Sequence, residues 1–426
     1  MPQGKRAACR GITGNSIRRI GLIMAVKTKS TDSGYGWAIL AVTFLAGFTA
    51  PANMAKVTAL APVVMAQFGF GPDVLGWVIA LFYVLGFVMA FPTTGLINKI
   101  GIRNVVMVAI ACAIVGSIMG AMTTDVTVFM VSRVFEGAGM GVMGVAGASA
   151  IAPWFKPEKR GLPLGIWATW VALAMCICPV LYGFMVDTLG MPWQAVWWGT
   201  VVFDVIVGIL FLAVYREPAD PQASEEEAQP HGKAQFGRAY KNKALWGLAL
   251  IFLFDEAAFM AINGFLTTYL TEQLATSLVF ATAIASAFGV AGAIGAPLSG
   301  WLSDLLKTRK WILLVSLVVG VVYTAVVFTC QDPNLYWGIM ILAGIVGGFV
   351  PSVIWQATPD TVEPDDVPAA NSLVAFTQNF GMFLGAIFMG NAITAFGWSM
   401  GSYVSLVPCY IVCLVIFFVT VRKSLR

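Results

Sequence analysis

The sequence predicts an all-α integral membrane protein, with twelve transmembrane helices arranged as two pseudo-symmetric halves of six. Three observations carry this expectation. Apolar residues make up 59% of the chain and charged residues 11%, at a mean hydropathy of +0.83, whereas a soluble domain carries about 25% charged residues. One long polar run, residues 216–243, divides two almost continuously apolar stretches of near-equal length, 36–215 and 244–421. The cations, finally, are segregated along the chain.

A bilayer core takes roughly 20 apolar residues per helix. On that measure the first half holds spans 1 to 6 at about 36–66, 74–97, 103–123, 126–150, 162–186 and 193–215. The second holds spans 7 to 12 at about 245–270, 277–302, 311–330, 335–357, 369–395 and 399–421. Of the 25 lysines and arginines, 23 lie in the tails, the polar run, or the loops after spans 2, 4 and 8. The loops after spans 1, 3, 5, 7, 9 and 11 hold none. The positive-inside rule therefore places the tails 1–35 and 422–426 and the linker 216–243 in the cytoplasm, and the protein in the inner or plasma membrane.

The linker runs from Glu225, Glu226 and Glu227 to Lys233, Arg238, Lys241 and Lys243 with no apolar period, the pattern of a solvated strap. The first 30 residues are basic and lack an apolar core long enough for a signal peptide; Met24 is a second candidate start. Seven cysteines are scattered, and the one histidine, His231, lies in the linker. No metal site or cofactor is expected from that distribution.

The halves repeat one plan. Span 2 ends in Pro92, Gly95, Asn98, Lys99, Gly101 and Arg103; span 8 ends in Pro297, Gly300, Asp304, Lys307, Arg309 and Lys310. Spans 4 and 10 both carry glycine clusters, Gly137, Gly139 and Gly141 against Gly344, Gly347 and Gly348. Halves with an even number of spans share one orientation and enclose a site between them near mid-membrane.

With its two polar turns and Arg133 ahead of Gly137 and Gly139, this plan resembles the major facilitator superfamily. Asp32-Ser33-Gly34-Tyr35-Gly36-Trp37, the turn Asn98 to Arg103, and Trp154-Phe155 with Lys159-Arg160-Gly161-Leu162 are similar to motifs of its monocarboxylate transporters and of the oxalate-formate antiporter-like branch. The resemblance implies alternating access, with Asn98, Lys99, Gly101, Arg103, Gly300, Asp304 and Arg309 as gating residues. It departs at Gly292 and Ala296, where those transporters place an Asp and an Arg.

Ionisable groups inside spans cost about 2.5–3.5 kcal/mol near the centre on insertion scales, so each is a functional candidate. Lys56 lies about ten residues into span 1 from its far end, too deep to snorkel easily. Arg133 and Glu136, three apart on span 4, share a face and can pair. Asp255 and Glu256 in span 7 are adjacent and point about 100° apart, and like charges this close disfavour joint ionisation, as a proton carrier requires. Asp204 in span 6 is expected to pack against a neighbouring span. Lys56 and Arg133, with Tyr83, Asn263 and Gln356, are the expected substrate groups; Asp255, Glu256 and Glu136 are the expected proton-coupling groups. Asn53, Gln378 and Asn379 are further polar candidates for the cavity wall.

The expected function is secondary active transport of a small organic anion, a monocarboxylate, coupled to protons. The partners are then the solute, protons and the bilayer, with no nucleic acid, and the working unit is a monomer. Two alternatives stay open: a drug or cation antiporter whose acids bind substrate, and a transporter-like sensor docking through the linker and the acidic loop after span 10. No P-loop and no nucleophile–base pair is present, so neither an ATP-driven pump nor an enzyme is expected.

Overall fold

Hydrocarbon offers no partner to a backbone N–H or C=O, so a spanning segment must satisfy its own, as a helix does. The computed structural model describes residues 34–156, 159–217, 236–363 and 366–422, and among them the regular structure is helical. The N-terminal tail with Asp32 and Ser33, most of the linker including Glu225–Glu227 and His231, and the extreme C-terminus lie outside the described residues.

Nine described helices are long and apolar enough to cross a bilayer, or ten when Ala61–Phe68 and Pro72–Val88, bent by 115°, count as one. Two features separate that number from the twelve expected. Span 9 is the helix Lys310–Val326, only 17 residues long. Spans 11 and 12 run together over Val367–Val421, with Gly397 at φ 77° breaking the helical path between them. Span 1, expected at 36–66, ends at Ala59, because a separate short helix, Ala61–Phe68, follows it, while span 7 is Lys243–Glu272 and span 8 Leu278–Leu306, within four residues of the expected bounds.

Short polar residues start several helices by capping otherwise unpaired N–H groups. Asp125 Oδ1 accepts from Thr127 N and Val128 N at 2.7 and 3.1 Å. The backbone N–H groups of Val128 and Thr127 hold its carboxyl below the usual carboxylate range. Asn242 caps span 7 through Ala244 N at 2.8 Å, and Ser277 caps span 8 through Phe280 N at 3.2 Å.

The two glycine clusters do equivalent work. A Cβ on Gly137 or Gly141 would run into the backbone of span 2 at Phe82 and Leu85. One on Gly344 or Gly348 would run into span 8 at Phe288 and Gly292. Small residues at such crossings let two helices meet backbone to backbone, where lipid supplies no hydrophobic drive for association.

Between the halves, span 2 packs on span 11 and span 5 on span 8. Phe87 meets Phe376, Phe380 and Phe383 at ring separations of 5.4–6.0 Å. On the face away from the basic turns the halves are joined. There the Thr267 hydroxyl donates to the Thr58 carbonyl, and Val279 N donates to Asp187 Oδ2 at 3.1 Å. The Tyr83 hydroxyl, midway, contacts the sulfurs of Met54 and Met260 at 2.7 and 2.9 Å, one from each half.

Candidate functional site

Between the halves lies a cavity of about 450 Å³. It runs from Thr58, at the end joined by the Thr58–Thr267 contact, past Met54 and Asn263 to Ala168, Gly144 and Trp355 nearer the basic face. Its wall is mostly apolar and rich in methionine: Met54, Met140, Met175, Met260 and Met382 all contribute. Thioethers on unbranched chains adapt to differently shaped ligands. Aromatic rings, among them Trp170, Phe259, Phe288 and Trp355, share the wall.

Two ionisable carboxyls enter this apolar lining, those of Asp255 and Glu256. Among the described residues, no lysine, arginine or histidine contributes to it. The Tyr410 hydroxyl donates to Asp255 Oδ1 at 2.8 Å, and Gln378 Nε2 donates to Glu256 Oε1 at 2.9 Å. Both acids are 5% exposed, so the cavity is what gives them access to solvent or solute.

Lys56 and Arg133 are elsewhere. Lys56 is fully buried within the N-terminal half. Its Nζ lies 2.7 Å from Glu136 Oε1, 2.8 Å from Ser117 Oγ and 3.2 Å from Thr200 Oγ1, and sits 5.0 Å from the Trp197 ring centroid. Arg133 pairs with Glu136, donates to the Asn53 carbonyl at 3.2 Å, and lies 4.8 Å over the Phe82 ring. Asn53 Nδ2 reaches Asp204 Oδ2 at 2.9 Å, and Ser117 Oγ donates to Asn53 Oδ1 at 2.8 Å. Two cations and two carboxylates thus form one enclosed group whose formal charges cancel.

The other expected residues fall in three places. Asn263 lines the cavity. Tyr83 is fully buried in the Met54–Met260 bridge. Gln356 is exposed near the basic face, bonded to Ser352 Oγ at 2.9 Å. In the turns, Asn98, Lys99 and Asp304 are exposed and Gly300 is half-buried. Gly101 holds φ 81° against the Glu217 carboxyl. Arg103 donates to the Leu212 carbonyl at 3.1 Å, while Arg309 donates to the Gln356 carbonyl at 3.2 Å and pairs with Asp360. Each of these two arginines is tied within its own half.

Sequence reasoning did not find Tyr410. A tyrosine in an apolar helix carries no sign in the sequence that it reaches inward. The acidic loop after span 10 is engaged by the chain itself: Arg238 pairs with Glu363 and with Asp366, each at 2.6 Å.

Comparison with known proteins agrees with this architecture. The sequence pattern of the Major Facilitator Superfamily matches residues 42–358 and 248–426. A probable hexose phosphate transport protein of Chlamydia trachomatis serovar D is 23% identical over 397 residues, covering 85% of this chain and 86% of that one. Among solved structures, a bacterial homologue of the human lysosomal transporter Spinster, inward-facing and unoccupied, superposes at TM-score 0.75 with 15% identity over 92% of this chain and 98% of that one. A variant of the nucleoside transporter NupG gives TM-score 0.72 at 16% identity, covering 90% and 99%. At these identities the two structures speak to the fold alone.

Proposed function

The chain belongs to the Major Facilitator Superfamily, multi-pass membrane proteins that move small solutes rather than catalyse reactions, and from that premise we propose that its cargo is a small organic cation with an apolar body, exchanged for protons. The observation that carries this is the cavity lining: two carboxyls in a methionine-rich and aromatic wall, with no basic side chain contributing among the described residues. In such a site a cation gains the carboxylate field at low dielectric and the faces of aromatic rings. An anion would meet the same carboxylates as repulsion. With the basic face in the cytoplasm, as the positive-inside rule requires, the cavity opens inward and the Thr58–Thr267 and Asp187–Val279 contacts close the outside.

A second reading, a small organic anion taken up with a proton, has its own support. Lys56 sits between the cavity-lining Met54 and Thr58 in sequence, and a relative carries hexose phosphate in its name. In this conformation, however, Glu136 neutralises Lys56 within an enclosed group.

Proteoliposomes separate the two readings. Acid-inside vesicles should accumulate a lipophilic cation such as tetraphenylphosphonium above protein-free controls. Uptake of small carboxylates or sugar phosphates driven by acid outside, with no cation uptake, would overturn the cation reading in favour of the second.

A further inference from the structure

Asp255 and Glu256 are sequence neighbours, yet their surroundings differ in kind. Glu256 is bonded to Gln378, which stands on span 11, the helix packed against span 2 of the other half. Tyr83 of span 2 lies within electrostatic reach of Glu256, and its hydroxyl bridges Met54 and Met260 across the halves. Beyond Tyr83 stands Arg133, also on the N-terminal side. Glu256 therefore borders the seam that opens and closes.

Asp255 faces the other way. Its partner is Tyr410 of span 12, whose ring occupies the notch left by Gly320 of span 9, where a Cβ would collide with it. Cys409 and Cys413 of span 12 and Tyr323 of span 9 stand around this pair, with Glu256 alongside on span 7 itself. All of these groups belong to the C-terminal half, so Asp255 keeps its company when the halves move as bodies.

We propose that Glu256 is the carboxylate on which the cation's charge rests, that Asp255 holds the exchanged proton, and that Tyr410 positions Asp255. The inference rests on the cation reading above and divides its labour. A cation settling at Glu256 favours departure of the proton from Asp255 into the water of the cavity. Reprotonation from the other side favours release of the cation. With either ligand bound the two carboxyls carry one net negative charge, so each ligand weakens the hold on the other, and the linkage is reciprocal.

The test uses the full-length protein, with tetraphenylphosphonium as the probe, binding measured in detergent and accumulation in acid-inside proteoliposomes. If the parent protein neither binds nor accumulates this cation, the functional reading itself fails and the inference falls with it. Where the parent does bind, Glu256→Gln should raise Kd by roughly tenfold or more at every pH, while Asp255→Asn should keep Kd within about twofold of the parent's value in acid, remove the dependence of Kd on pH, cut pH-driven accumulation roughly tenfold and spare cation–cation exchange. Tyr410→Phe keeps the ring in the Gly320 notch and removes only the hydroxyl. It should move the midpoint of the pH profile of accumulation with Kd in acid unchanged, whereas a merely structural tyrosine would leave the profile in place. Equal loss of binding in the Asp255 and Glu256 variants, or pH-driven accumulation surviving in Asp255→Asn, overturns the division while leaving the cation reading intact.

Discussion

Lys56 shows how much a residue's meaning depends on what faces it. In sequence it is a lone cation deep in an apolar helix; in the fold it is surrounded by Glu136, Ser117, Thr200 and the ring of Trp197. Removing one member of a buried ion pair leaves its partner unpaired and costs about 3–5 kcal/mol, while replacing the set with packed apolar residues is often tolerated. Lys56→Met should accordingly lower the unfolding temperature of the detergent-purified protein, and pairing it with Glu136→Leu should lower it further, because that change also takes the carboxylate from Arg133 and leaves this buried cation only the Asn53 carbonyl and the Phe82 ring. Thermal unfolding of the single and double variants measures the coupling. A Lys56→Met protein with parental stability and no transport would instead make Lys56 a direct substrate group. Its enclosure was not legible beforehand for a physical reason. Glu136 is 80 positions away and Thr200 is 144 away, and contact between distant spans leaves no local trace in either.

At the scale of the element, what was legible was local. Run length and cation placement report on each helix and each loop separately, and the glycine clusters of spans 4 and 10 found the same use against spans 2 and 8. The break at Gly397 was harder, because one glycine at φ 77° stands where a loop between spans 11 and 12 was expected. The turns raise a functional question of the same scale. Arg103 and Arg309 are bound inside their own halves, and Asp304 is exposed on the basic face. If turns of this kind meet across the halves in the opposite state, that contact is bistable. Asn98 carries no charge for it, so Asp304→Ala should slow turnover more than Asn98→Ala, with cargo Kd in both within about twofold of the parent. Stopped-flow or counterflow rates decide this, and equal rates in Asp304→Ala and the parent would remove the turn after span 8 from the gating cycle.

At the scale of the whole molecule, the enclosed charges and the cavity occupy different compartments. The N-terminal half neutralises its own ions internally, while Asp255 and Glu256 of the C-terminal half face the cavity. Such an asymmetry predicts where thiol reagents reach. Cysteines placed at Asn263 and Gly292, both on the cavity wall, should react from the basic face, and bound cargo should protect them; a cysteine at Ser117, wholly buried, should stay silent in both conditions. Labelling at Ser117 that responds to cargo would mean that the enclosed group opens during the cycle. The enclosure also has a history in time. A growing chain delivers Lys56 to the membrane 80 residues ahead of Glu136, a delay of about 4–16 s at ordinary rates of synthesis of roughly 5–20 residues per second. Asn53, likewise, precedes Asp204 by 151 residues. Until spans 4 and 6 emerge, the first helix carries an uncompensated lysine, so a ribosome-bound fragment ending before Asp125 should hold span 1 less securely than one ending after Tyr215. Assembly of this half is thereby timed by the arrival of its last helix.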